Sequence, residues 1–203
     1  MSERYQNLTK VQKQPVAKML ANCGMKLNVE LSAPASAMAD VVLAELDQKK
    51  EWLELLKVMS VILPPRERVW CACLAARDFI GAKSKKDPLP LAAAETWVFE
   101  PNETNREAVF HALQDTDPGD DTVHCGSAAL YYNGTLGTGD MAEHPAPPGG
   151  AELSAFVMNV VALGHHSDKF DSHMQLLIDR ALDIARGGNG RVDPAPSEKE
   201  ENA

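Results

Sequence analysis

Trp52-Leu53-Glu54-Leu55-Leu56-Lys57-Val58-Met59-Ser60-Val61-Ile62-Leu63-Pro64-Pro65 decides the fold class of this chain. Trp52, Leu55, Leu56, Met59 and Ile62 recur at steps of three and four, which puts their side chains on one face of a helix. Lys49, Lys50, Glu51 and Glu54 are expected to face water. Pro64-Pro65 stops the helix, because proline lacks the N–H that the next turn needs, and Pro65 stands where a new helix starts without one. The pattern predicts helices over 49–63 and from Pro65 to Gly81. Val69, Trp70, Cys73, Leu74 and Ile80 are the buried candidates of the second.

The same reading extends in both directions. Upstream, Pro15 to Gly24 is a short helix with Val16, Met19, Leu20 and Cys23 on one face, and 36–46 is another with Met38, Val41, Val42 and Leu46. Between them Lys26-Leu27-Asn28-Val29-Glu30-Leu31 alternates polar and apolar, the pattern of a short strand or an extended arm; a lone strand makes no sheet. Downstream, the basic, proline-bearing stretch 82–90 is a hinge or boundary. A helix over 91–99 carries Trp97 and Val98. Thr104-Asn105-Arg106-Glu107 reads as a capping box for the helix bearing Ala108, Val109, Ala112 and Leu113. Asp117 as N-cap and Pro118 at the first turn open a helix toward Tyr132. Helices over 151–163 and 167–186 complete the set. The fold class is all-α, with about eight helices, either as two subdomains (1–82 and 83–188) or merged in one bundle. Residues 189–203, almost without apolar content, are expected to form a disordered tail.

Composition excludes some functions. The chain has 203 residues, a 44% hydrophobic share and a formal net charge of −9. Such a charge repels phosphate backbones, and the densest basic group, Lys83, Lys85 and Lys86, lacks interleaved aromatics, so no nucleic-acid partner is expected. No apolar run of about 18 residues suggests a membrane span, and the polar first fifteen residues do not read as a secretory leader. The expected location is the cytoplasm. Cys23, Cys71, Cys73 and Cys125 do not form a disulfide framework and are read as reduced thiols.

No catalytic constellation is evident, and no cofactor is implied. His165, His166 and His173, with Asp168 and Asp171 nearby, are zinc-competent ligand types. Adjacent rings diverge on a helix, however, and no His-Glu-x-x-His pattern occurs. His124-Cys125 resembles a base and a nucleophile, yet neighbours in a helix do not face each other. Gly134, Gly137 and Gly139 suggest a phosphate loop, but no Lys-Ser/Thr follows, and Asp140 and Glu143 would repel the phosphate. Trp52, Trp70 and Trp97 fit core packing.

The eighteen-residue segment 133–150 is rich in glycine and proline. Loops of this length in a compact domain often carry function. Ala94-Glu95-Thr96-Trp97-Val98, Pro101, Asn105-Arg106-Glu107-Ala108, Gly134-Thr135-Leu136, Pro145-Ala146-Pro147-Pro148 and Leu182-Asp183-Ile184-Ala185-Arg186-Gly187, in that order, resemble an uncharacterised bacterial helical domain family over residues 91–189. Members are often encoded among secretion-system genes, including type VI sets. Where members commonly place a tryptophan and a glycine-serine pair, this chain has Tyr131-Tyr132-Asn133-Gly134-Thr135. On the physical reading Trp97 anchors a helix, Arg106 faces outward or bonds a neighbouring helix end, and the proline run holds an extended surface segment.

The resemblance implies a non-enzymatic adaptor, chaperone or regulator that binds a secretion-system component or effector. The expected contact residues are Tyr131, Tyr132, Asn133, Gly134, Pro145, Pro147 and Pro148. An immunity protein against a secreted toxin shares that physics. A metal-binding protein or metal-dependent enzyme using His165, His166, His173 and Asp168 is the chemical alternative.

Overall fold

A computed structural model describes residues 3–117 and 119–192. Among them are nine α-helices: α1 Val16–Asn22, α2 Ala39–Gln48, α3 Trp52–Ile62, α4 Pro65–Ile80, α5 Leu89–Phe99, α6 Glu103–Gln114, α7 Val123–Leu130, α8 Gly150–His165 and α9 Phe170–Arg186. The described residues contain no strand, only an isolated bridge between Thr135 and Pro145. The fold is all-α.

α4 lies at the centre and packs on α5, α7, α8 and α9, while α3 packs on α8 and α9. Its buried face is mostly small: Ala72, Cys73, Ala75 and Ala76, facing a core that also includes Ala128 and Ala129 of α7 and Ala155 and Ala162 of α8. Short side chains let helix axes approach closely. Buried side chains from both sides of 82–88 belong to one continuous cluster, from Tyr5 to Ala185.

Three of the helices that end without a glycine, α3, α5 and α7, have carbonyls at their C-termini met by an arginine from an adjacent helix. Arg68 of α4 donates to the carbonyls of Ser60 (2.6 Å), Val61 (3.3 Å) and Leu63 (3.0 Å) at the end of α3, and pairs with Glu152 at 2.7 Å. Arg66 donates to Val98 O at 2.6 Å near the end of α5. Arg106 of α6 donates to Leu130 O at 2.9 Å, at the end of α7. The last carbonyls of a helix have no partner within it, so a side-chain donor meets a real need. By contrast α4 and α9 end on Gly81 (φ 88°) and Gly187 (φ 102°).

Several boundaries differ from the sequence reading. α6 is capped by Asn102, whose Oδ1 accepts from Asn105 N at 2.8 Å, two residues ahead of the expected Thr104 box. α7 begins at Val123 and not at 117. Asp117 Oδ1 accepts from Gly119 N (2.7 Å) and Asp120 Oδ1 from Thr122 N (2.8 Å), so local side-chain turns replace the expected first helical turn. Pro118 lies outside the described residues.

The alternating stretch 26–31 is an extended arm and not a strand. Leu27, Val29 and Leu31 pack on the core, while Glu54 accepts from Asn28 N (3.2 Å) and Glu45 from Ala33 N (2.9 Å). Glu54, expected at the surface, is therefore buried. Phe170, the first residue of α9, is 41% exposed. Within the expected tail, Asn189 O accepts from Trp70 Nε1 at 2.7 Å, and Gly190 N donates to Asp183 at 2.8 Å. The remainder of the expected tail, 193–203, lies outside the described residues.

The turn before α5 is locked by charge. Arg77 of α4 donates to both oxygens of Glu95 (2.7 and 2.8 Å) and to Asp87 at 2.6 Å. The Arg77 bond holds the Asp87 carboxyl down from 3.8 to about 2. A carboxyl whose pKa is depressed by folding contributes stability above its unfolded value and loses it as pH falls through the folded one. Asp87→Asn should therefore lower stability at neutral pH and flatten the fall between 3.8 and about 2. Urea midpoints across that window check this; parallel curves for the two proteins would refute it.

Candidate functional site

The segment 131–149 is a compact flap, built from beneath by one side chain. α7 ends at Leu130 without a glycine, and the fully buried Arg106 reaches its last carbonyl. The same guanidinium donates to Asn133 Oδ1 (2.9 Å), Thr135 O (3.2 Å) and Thr135 Oγ1 (2.6 Å), and sits 3.5 Å from Glu103. Its carbon lies 5.2 Å from the Tyr132 ring centroid, in cation–π range, and Tyr132 packs on Trp97 at 4.8 Å. Trp97 is 1% exposed, the core anchor expected of it. Arg106 bonds a neighbouring helix end rather than facing outward.

The flap folds back on itself. Leu136 N donates to His144 O and Ala146 N to Gly134 O, both at 2.9 Å, so Gly134 and Ala146 close a loop whose tip is the 3₁₀ turn 139–143. Ala146 is buried, while its neighbours Pro145, Pro147 and Pro148 are exposed. Asn133 and Gly134 are exposed as well, and Tyr131 and Tyr132 are half-buried. The seven expected contact residues thus share one flap. Tyr132 is largely taken up by Trp97 and Arg106, and Tyr131 lies against Gly150.

The histidines are brought near one another but turn to different partners. His165 stacks on Phe79 (4.1 Å between centroids) and lies 3.3 Å from Asp121. His166 contacts Asp78 O at 3.2 Å and lies 4.3 Å, ring to ring, from His173. His173 Nε2 is 3.3 Å from Asp78 Oδ2 without hydrogen-bond alignment, and Arg180 holds the same oxygen at 2.6 Å. Burial alone would raise the Asp78 carboxyl, yet His173 and Arg180 outweigh it and hold the group below its usual range. Asp168 is exposed in the turn between α8 and α9. Among the described residues no group of three or more His, Cys, Asp or Glu side chains is placed to hold a metal ion. The pairing partner Asp78 carries no signal in the sequence near the histidines.

His124 and Cys125 do not form a reactive pair. Cys125 is fully buried, and burial lowers the His124 pKa. Cys73 is also fully buried, and Cys125 beside it together with burial pushes its thiol up. Thiolate, not thiol, is the nucleophile. In native protein Cys73 and Cys125 should stay unmodified by an aromatic disulfide reagent and titrate only after denaturation. Fast reaction of either thiol in the folded state would contradict this burial.

The sequence profile of a family of unknown function, DUF6931, matches residues 42–185. The chain belongs to that family. The match starts within α2 and ends inside the last turn of α9, so the DUF6931 unit includes α3 and α4 and begins well before residue 91, where the sequence resemblance starts. It contains Arg68, Arg106, the flap and the histidine turn. No curated protein and no solved structure matches the chain. No described helix of this DUF6931 member is long and apolar enough to cross a membrane.

Proposed function

We propose that this chain is a non-enzymatic protein-binding adaptor, chaperone or regulator whose docking surface is the flap 131–149. The observation that carries the reading is Arg106: a wholly buried guanidinium spends its hydrogen bonds on ordering a solvent-facing glycine- and proline-rich segment. A loop already held in one shape loses less conformational entropy when a partner closes on it. Pro145, Pro147 and Pro148 offer apolar, donor-free surface of the kind aromatic-lined grooves accept. A component or effector of a type VI secretion system is the partner class to which the family resemblance directs the search.

The test is site-specific photocrosslinking from position 147 in cells, followed by mass spectrometry. The intact chain is compared with one whose residues 134–148 are replaced by a glycine-serine stretch of equal length. One dominant protein adduct, lost on replacement, supports the reading. No adduct under conditions where the chain is expressed, or the same pull-down profile from both chains, refutes it.

A further inference from the structure

A second surface lies on another part of the molecule, where α4, α5 and the chain after α9 meet. Trp70 and Phe99 stand edge to face, with ring centroids 5.8 Å apart and planes at 61°. Phe99 is 65% exposed, the most exposed large apolar side chain among the described residues. The indole N–H of Trp70 is committed to Asn189 O, which fixes the ring and leaves its polar edge satisfied. Val98 and Ile184, both buried, contribute to the lining of a groove of about 360 Å³. That volume falls in the range of sites that enclose a ligand group.

The rim is cationic in a chain of net charge −9. Lys10, Arg66 and Arg191 line the groove against a single carboxylate, Glu67, which lies 3.7 Å from Lys10. Arg66 uses Nε on Val98 O, and its two Nη groups have no partner among the described residues; neither does the Arg191 guanidinium. The Nη pair of Arg66 and the guanidinium of Arg191, beside a fixed aromatic pair, match a carboxylate next to an apolar side chain. Arginine binds carboxylate in bidentate fashion, and aromatic anchors with arginine dominate binding energy at protein interfaces. A phosphate polymer would find the same cations but also the repulsion of the whole acidic chain. A peptide carrying one or two carboxylates meets far less of it.

We infer that the Trp70–Phe99 groove binds an extended peptide segment of another protein in which an acidic residue neighbours an aromatic or branched aliphatic one. The groove does not use the flap, so either surface can fail without the other. The test is selection of a random twelve-residue phage-displayed library on the full chain, with binding of the winning peptide measured by fluorescence anisotropy. Enriched sequences should pair Asp or Glu with Phe, Trp, Leu or Ile. Phe99→Ser and Arg191→Glu, both exposed positions, should each weaken the selected peptide about tenfold or more, and added salt should weaken it further. The chain with residues 134–148 replaced should bind it unchanged. No enrichment, a motif without acidic residues, undiminished binding by both variants, or tighter binding of an oligothymidine than of the peptide would each overturn the assignment. Loss of binding only on flap replacement would move the peptide site to the flap and sink the groove.

Discussion

Arg106→Met should lower the free energy of unfolding by about 3–5 kcal/mol, the cost of removing one partner from a buried, hydrogen-bonded charge cluster. Methionine keeps much of the length but none of the donors. Leu130 O, Asn133 Oδ1 and Thr135 O then lose the donor that now reaches them. For a chain of this size each kcal/mol shifts the melting temperature by roughly 2–4 °C, so a fall of about 10 °C is expected. Arg106→Lys should recover only part of it, since a single ammonium cannot span Leu130 O, Asn133 and Thr135 as a planar fork does. Limited proteolysis separates this role from a general core defect: cleavage within 134–148 should rise sharply in Arg106→Met before the rest of the chain is cut. A variant that melts within about 1 °C of wild type would remove Arg106 from its place under the flap.

Gly149→Ala should cost about 2–4 kcal/mol through two separate effects. Gly149 has φ 70° at the N-cap of α8, a left-handed conformation that a side chain disfavours. An added Cβ would also run into the carbonyl oxygen of Cys23, at the end of α1, with Cys23 C and Cβ both at 3.1 Å. The obstacle is backbone, which cannot rotate away as a side-chain tip can. Gly134→Ala is the matched control. Its φ is 81°, yet nothing lies within 4 Å of the new methyl, so only the conformational part remains, about 1 kcal/mol. Equal urea midpoints for the two variants would show that the contact between α1 and the start of α8 is looser than the structure has it.

The helices were legible because their signals are local. The three-four spacing from Trp52 to Ile62, the Pro64-Pro65 break and the glycines at 81 and 187 each act within one turn of chain, and the structure follows them. Boundaries slipped where two local signals competed. Asn102 caps α6 ahead of Thr104, and Asp117 and Asp120 spend their carboxylates on turns before α7 can start. Burial of charge was illegible for a different reason. Glu54, Glu95, Arg68 and Arg106 carry charge yet are buried, each beside a partner outside its own helix: Asn28, Arg77, Glu152 and Leu130 O. The only hint was indirect: α3, α5 and α7 end without glycine, so their final carbonyls needed a donor from elsewhere. The flap residues could be named from composition, but not their posture, because nothing in Tyr131 to Pro148 specifies the guanidinium that holds them. Trp70 read as core because it sits among apolar neighbours, and only the return of the chain at Asn189 shows its ring at a groove.

The two buried arginines also set an order of events during folding. Arg68 finds its carbonyls five to eight residues back in the chain, a closure that the α3–α4 corner reaches within its own length. Arg106 must wait for groups 24 to 29 residues ahead. Short-range closures form before long-range ones, because less chain has to be brought together. Amide protection should therefore rise at the α3–α4 corner before it rises in the flap, so that the proposed docking surface takes its shape on a corner already set.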